Sequence, residues 1–416
     1  MATKRKYTKK QKKEAERIVR SYWRPILIIL ICVVITFTIL YFTGTLDRLI
    51  DMYFKPAPPD TGVEDTDGDD DTDSGSGNLD YDPSVYKNVT TTVSSLEDLK
   101  VNFIDVGQGD CIIIELPDGK NMIIDSGEKR NDNKTAITEF TTANNIESFD
   151  YLLLTHQDSD HAGNMSWVID NYDIKYIFRP NNYSNNKISS ELPDTFNYGD
   201  GYASTTQIYA NFMVSAYNEN CPVEVFNKNS DFTNTIICGD DTYTYKFDFL
   251  TPTLDTISYG DPNNYSPIML LEYSGKRILF TGDAELENLG EYVSVYGDMY
   301  NVDVLKVGHH GSNNATTSAF IEAVDPEYAI IQCGTNNKYG HPHKETLDIL
   351  SAYDSEMIVY RTDNNGNIIL TINALGIEFT MEETDTSNNF TPGVKVEKVG
   401  IWHIDIIFDK KEFAVA

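Results

Sequence analysis

The stretch Thr155-His156-Gln157-Asp158-Ser159-Asp160-His161-Ala162-Gly163 places four metal-ligand side chains within six positions, directly after the apolar run Tyr151-Leu152-Leu153-Leu154. Two imidazoles and two carboxylates crowded on one short turn repel one another or stay unpaired unless a cation lies between them. A strand that ends in such a turn makes a floor for one or two divalent metals. The chemistry of the chain is expected there.

The pattern of an apolar run ending in ligand-bearing residues recurs downstream. Leu279-Phe280-Thr281-Gly282-Asp283 ends on a carboxylate able to bridge two cations, although Gly-Asp is also ordinary turn chemistry. Val307-Gly308-His309-His310-Gly311-Ser312 sets two adjacent histidines between glycines, a poor arrangement for core filler. Tyr339-Gly340-His341-Pro342-His343 adds two more, either contacts for substrate oxygens or plain loop histidines.

Around these motifs the periodicity predicts a folded body from about Leu96. Strands are expected at 101–106, 111–116 and 122–125, joined by the turns Gly107-Gln108-Gly109-Asp110 and Pro117-Asp118-Gly119-Lys120. Residues 181–240, rich in Asn, Tyr, Ser and Asp, read as an insertion with a helix near 206–217. Beyond it, strands alternate with helices over 284–296, 317–324 and 344–353. Strands first and alternation later predict a layered α/β protein with sheets inside and helices outside. This folded domain is expected over 96–383, followed by an extension of unassigned role over 384–416.

The N-terminal part has a different character. Basic residues crowd residues 1–24, and Ile26 to Phe42 then gives seventeen positions without a charge. At about 1.5 Å per residue this approaches the roughly 30 Å hydrocarbon layer. A transmembrane signal anchor over 25–43 is expected, with the basic flank cytoplasmic and the remainder outside the cell. Residues 44–95, acidic and poor in apolar side chains, read as a disordered linker. The run from Asp65 to Asp73 fails as a calcium loop, since Asp70 stands where glycine is needed. Net charge is −31; residues 1–84 hold 12 of 33 basic and 14 of 64 acidic residues, so the remainder carries about 29 negative charges. Such a body counts against tight binding of polyanions unless a local basic groove exists, for which Lys306, Lys338 and Lys344 lie nearest the motifs. The five cysteines fit no zinc spacing; Cys221 and Cys238 are a candidate disulfide, and Cys111 and Cys333 buried thiols.

The ordered set of Phe103-Ile104-Asp105-Val106-Gly107-Gln108-Gly109-Asp110, Ile124-Asp125-Ser126-Gly127, the opening cluster, Thr281-Gly282-Asp283, the His309-His310-Gly311-Ser312 run and Asn337 to His343 resembles the metallo-β-lactamase superfamily. Within it the chain is most similar to the hydrolase domain of ComEC-type competence proteins, over about residues 100–372. The resemblance implies an αββα sandwich with metals at the rim between the sheets. It implies that His156, Asp158 and Asp283 hold one metal, and that Asp160, His161, Asp283 and His309 hold the other. His310 and His343 are alternative ligands, and Asp105 and Asp125 anchors behind the ligands.

Two departures from the family pattern concern the first site. Asp158 stands where many members have a second histidine, and no histidine occurs between His161 and His309, where the family has one. Asn263-Asn264-Tyr265-Ser266-Pro267 offers instead an amide, such as that of Asn264, or a hydroxyl. An oxygen-rich set shifts preference from zinc toward manganese.

The expected reaction is metal-dependent hydrolysis by a metal-bridged hydroxide. Asp160 would ligate and orient it, and His341 would stabilise developing charge or protonate the leaving group. The leading substrate is a nucleic-acid phosphodiester. The alternatives are cell-envelope phosphoesters, such as choline phosphate esters, or a non-catalytic surface protein with a relic site. The sequence points to no protein partner.

Overall fold

The computed structural model describes residues 85–181, 192, 206–253, 259–384, 386–387 and 389–395. The predicted anchor and most of the predicted linker lie outside these. Among the described residues no helix is long and apolar enough to cross a membrane.

Two sheets of eight strands each form the body among the described residues. One runs, in spatial order, Gly376–Met381, Ile368–Asn373, Leu99–Phe103, Ile112–Glu115, Asn121–Ile124, Tyr151–Leu153, Ile177–Arg179 and Val223–Val225. The other runs Thr90–Val93, Phe232–Cys238, Asp241–Thr251, Ile268–Tyr273, Lys276–Phe280, Val304–Lys306, Tyr328–Ile331 and Ile358–Arg361. Each sheet holds an antiparallel meander that gives way to parallel strands. Leu152 pairs with Ile123 and Ile177, and Val304 with Ile278 and Tyr328, all in parallel.

Alternation along the strands sorts the side chains into layers. Met269 and Leu271 face the space between the sheets, where they join Phe103, Ile114, Leu153, Phe178, Phe247 and Phe280. Ile268 and Leu270 face outward and pack with Leu289, Tyr292, Phe320 and Leu347 from the helices Leu286–Tyr296, Ser318–Val324 and Lys344–Tyr353. On the opposite face Ile113, Ile123, Leu152 and Ile177 are covered by Ile137, Val168 and Phe212 from Asn131–Ala143, Met165–Asn171 and Gln207–Asn218. The layers are helix, sheet, sheet, helix. In the central layer Phe178 stacks on Tyr176 at 4.7 Å and on Phe232 at 6.0 Å. Its truncation to alanine would cost about 3–5 kcal/mol.

The folded body begins earlier than expected. Thr90–Val93, placed by composition in the linker, pairs in parallel with Phe232–Cys238. That partner strand itself lies in the segment read as an insertion. Its polar look hides a buried amide: Asn234 donates from Nδ2 to the hydroxyls of Tyr151 at 2.8 Å and Tyr245 at 2.7 Å. Within the extension left without a role, residues 389–393 dock onto the body. Arg361 Nη1 donates to the carbonyls of Asn389 at 3.2 Å and Thr391, and the amide of Gly393 donates to the carbonyl of Pro342 at 2.8 Å. Cys221 and Cys238 are free thiols, so the candidate disulfide is absent.

Candidate metal centre

The parallel strands of both sheets end along one edge, and the loops that follow them carry the ligands. Tyr151–Leu153 leads to His156, Asp160 and His161; Lys276–Phe280 leads to Asp283; Val304–Lys306 leads to His309 and His310. Two close approaches let these loops meet. A Cβ on Gly109, at φ +133°, would fall 2.3 Å from the Asp160 carbonyl oxygen. One on Gly311, at φ +80°, would fall 2.6 Å from Pro342 Cβ. His309 and His310 are themselves left-handed, at φ 48° and 55°. For residues other than glycine this stores on the order of 1–3 kcal/mol each, and such strain clusters at functional sites.

The centre is organised around one oxygen. Asp283 Oδ2 lies 3.1 Å from Nε2 of His161, 3.4 Å from that of His310, 3.7 Å from that of His309 and 3.9 Å from that of His156. His161 Nε2 and His310 Nε2 are 3.2 Å apart, and Asp160 Oδ2 is 3.5 Å from His310 Nε2. Ligand atoms gather within 4.8 Å of one another in His156–His161–Asp283 and in Asp160–His161–His310. Two buried polar atoms in the cluster, His156 Nε2 and Asp283 Oδ1, have no hydrogen-bond partner. Leaving such groups unpaired is costly, and a divalent cation would satisfy both. The donor set fits a metal.

The charges agree. Burial would raise the Asp283 carboxyl, but His161, His310 and His309 hold it well below the usual carboxylate range. Burial works against protonation of His161 and His310, yet Asp283 and, for each ring, a further carboxylate hold both well above the ordinary imidazole value. His156, in contrast, is pushed down to about 4 by burial and by His161, and is neutral.

Behind the ligands, Asp125 accepts from His161 Nδ1 at 2.7 Å and from Thr155 through its amide at 2.9 Å and its hydroxyl at 2.7 Å. It stands behind His161, where the sequence expects an anchoring carboxylate. Asp105 is not one: its carboxylate accepts from the amide of Gly107 in its own loop at 2.9 Å. Asp110 takes that place instead. Its Oδ1 lies 3.2 Å from His310 Nδ1, off the line of an N–H that is 2.9 Å from the Gln332 carbonyl. It therefore acts on His310 as a charge.

Other expected residues are placed as follows. Asp158 starts the short helix Ser159–Ala162 and stands outside the tight ligand groups. Burial and Asp160 raise its carboxyl, whereas Asp160, against the effect of burial, is lowered by His310 and His161. Asn264 is no ligand, because its Oδ1 accepts from the amides of Glu285 and Asn288, both at 3.1 Å, at the start of Leu286–Tyr296. Ser266 stands behind His156, its hydroxyl 3.2 Å from Nδ1, and leaves the Nε2 that faces Asp283 without a partner. His343 accepts from the amide of Asn313 at 3.0 Å and shapes the loop. His341 is 4% exposed, 5.4 Å from His309 ring to ring. Burial and the neighbouring histidines push it down to about 3, so it offers a neutral N–H rather than an acidic proton. Lys306, counted as a cation for a basic groove, is wholly buried against Asp110.

Asp160 also lines an open cleft of about 740 Å³ bounded by Asp105, Glu128, Arg130, Asp132 and Lys338. Lys338 Nζ lies 4.6 Å from the Tyr339 ring centroid, and that ring stacks on His341 at 5.3 Å.

The model of the metallo-beta-lactamase superfamily matches residues 104–187 and 237–335. The chain carries a metallo-β-lactamase superfamily domain. It is 28% identical over 284 residues to ComE operon protein 3 of Bacillus subtilis (strain 168), covering 65% of this chain and 32% of that protein. It is 26% identical over 258 residues to Recombination protein 2 of Haemophilus influenzae, covering 62% and 27%, and 25% identical over 265 residues to Competence protein ComA of Neisseria gonorrhoeae, covering 63% and 30%. The chain thus matches about a third or less of the length of these relatives. Similar solved structures include the metallo-beta-lactamase SMB-1 bound to 2-mercaptoethanesulfonate, at 11% identity, TM-score 0.29, and 56% and 87% coverage. Another is CmlA, a diiron beta-hydroxylase from Streptomyces venezuelae, at 16% identity, TM-score 0.31, and 56% and 44% coverage.

Proposed function

We propose that the chain is a metal-dependent phosphodiesterase acting on nucleic acid. Zinc or manganese would occupy one or two positions around Asp283, and the domain would be held outside the cell by a single membrane helix over residues 25–43. The observation that carries the reading is the convergence of four imidazole Nε2 atoms on Asp283 Oδ2 within 3.9 Å. Divalent cations at such a centre supply Lewis acidity and lower the pKa of water.

The chain's own residues do the rest. Asp160, 19% exposed in its side chain, is the ligand that faces the cleft and can orient an attacking water there. His341, neutral and beside His309, can donate an N–H to an oxygen on which charge develops. Arg130 and Lys338 stand at the cleft for flanking phosphates. The relatives named as competence and recombination proteins support a nucleic-acid substrate.

The acidic side chains Asp105, Glu128, Asp132 and Asp160 along the same cleft favour a second reading, hydrolysis of an envelope phosphoester with a cationic head group. The deciding experiment gives the metal-reconstituted full-length chain single-stranded DNA and a phosphocholine ester, beside its Asp160→Ala variant. Cleavage of DNA lost in the variant supports the nuclease. Cleavage of the ester alone moves the assignment to the envelope, and cleavage of neither leaves a relic metal site.

A further inference from the structure

Two loops from opposite sheets meet at Gln108, on the wall of the cleft that Asp160 faces. Gly107-Gln108-Gly109 follows Leu99–Phe103 in one sheet, and Gly334 follows Tyr328–Ile331 in the other. A Cβ on Gly334 would fall 2.5 Å from the Gln108 backbone nitrogen, so only glycine lets the two backbones come so near. The side chain of Gln108 is then held at both ends. Its Oε1 accepts from the amide of Gly334 at 3.3 Å, and its Nε2 lies 3.5 Å from His341 Nδ1.

The first contact decides which way round the carboxamide sits, because a backbone N–H needs an acceptor opposite it. The second then has one sense. An NH2 group only donates, so His341 Nδ1 receives the bond through a lone pair and the ring proton stands on Nε2. The bond is long, as catalytic hydrogen bonds often are before substrate binds. The backbone around His341 keeps the two partners in register. Asn337 is buried, and its Nδ2 donates to the carbonyls of Gly334 at 2.9 Å and His341 at 2.7 Å. Its Oδ1 accepts from the amides of Tyr339 at 3.1 Å, Gly340 at 2.8 Å and His341 at 3.0 Å. The circuit closes from Gln108 through Gly334, Asn337 and His341 back to Gln108. Tyr339, stacked on the His341 ring with planes 18° apart, fixes the plane of that ring. His341 falls in none of the groups of converging ligand atoms, which leaves protein groups to set its tautomer.

We propose that Gln108 is the positioning residue for His341: it holds the ring as the Nε2–H tautomer and so makes it a donor to an oxygen on which charge develops. The donor role rests on the phosphodiesterase reading above, whereas the tautomer is a property of the chain itself.

The test is the nitrogen-15 spectrum of the full-length chain labelled at its seven histidines, with and without Zn²⁺. The signals of His341 are those that vanish in His341→Gln. An unprotonated ring nitrogen resonates far downfield of a protonated one, and here the downfield signal is expected from Nδ1. Gln108→Glu keeps the acceptor for Gly334 and replaces the donor with an oxygen, so Nδ1 should gain a proton. Gln108→Ala should leave a mixture of the two tautomers. Dispersed signals from the other histidines show that each variant is folded. In both variants kcat on a phosphodiester is expected to fall at least about 10-fold while KM holds, since an oriented N–H acts in the transition state. A wild-type Nδ1–H, an Nδ1 left unprotonated in Gln108→Glu, or wild-type kcat in both variants overturns the assignment. The expected spectra from a chain that cleaves no phosphodiester would support the positioning of His341 and sink the functional reading instead.

Discussion

Lys306 Nζ lies 2.7 Å from Asp110 Oδ2, with neither side chain more than 2% exposed. The pair sits directly behind His310, so a buried ammonium offsets one of the carboxylates packed around the centre. Burial alone would raise the Asp110 carboxyl, but Lys306 and His310 hold it low and charged. Removing one partner of such a pair strands a buried charge and costs about 3–5 kcal/mol. Lys306→Met should therefore destabilise the metal-free protein by about that amount in urea titrations. The double variant Lys306→Met/Asp110→Asn should recover most of it. The recovered protein still lacks the charge behind His310, and its weaker metal affinity would separate positioning from folding.

Asp125→Asn addresses the other anchor. Asp125 is left-handed at φ 56°, a conformation asparagine tolerates as well, so the backbone should survive the change. What is lost is the negative charge 2.7 Å from His161 Nδ1. Metal affinity should fall by about 10–100-fold, measured by competition with a chromophoric chelator. An unchanged affinity would mean that His161 is oriented by its surroundings without this carboxylate.

These two anchors show what the sequence could and could not disclose. Asp125 was legible, because Ile124-Asp125-Ser126-Gly127 is a recognisable strand end. The role of Asp110 is hidden by the turn chemistry around it, since its partner Lys306 is 196 positions away and pairs only across the interface of the two sheets. The splayed setting of His309 and His310 was likewise invisible, since it depends on two successive left-handed residues, which no apolar periodicity reports. Most strands and helices were readable from their alternation. Thr90–Val93 and Phe232–Cys238 were not, because their outward positions and the buried Asn234 make them resemble loop sequence.

Asp231 supplies a pH test away from the metals. Its carboxyl, which accepts from the Phe249 amide at 2.6 Å, is raised to about 6 by burial, with Asp248 adding to the shift. A folded value above the unfolded one means that the folded state holds the proton more tightly. The stabilising contribution is full below about pH 4 and is lost as pH rises through about 6. Asp231→Asn keeps an acceptor for Phe249 and removes the ionisation. Its melting temperature should exceed that of wild type at pH 7.5 and the gap should close near pH 4, as read by calorimetry on metal-free samples. A gap that widens toward low pH would contradict the assignment.

Gly393 links the docked tail to the chemistry. Its amide holds the Pro342 carbonyl, and a Cβ at this position would fall 2.0 Å from the carbonyl oxygen of His341. Backbone cannot yield to that contact as a flexible side chain would, so Gly393→Ala must displace either the tail or the loop carrying His341. None of the ligands around Asp283 lies on that loop. The variant should therefore bind metal with wild-type stoichiometry while turnover falls by roughly 10-fold or more, the scale on which small misplacements act. Removing the tail, by a stop after Glu383, tells the two displacements apart. If the truncated chain is as slow as Gly393→Ala, the tail holds His341 in place. If truncation restores the rate, the alanine acts by pushing the loop, and the tail is dispensable for catalysis.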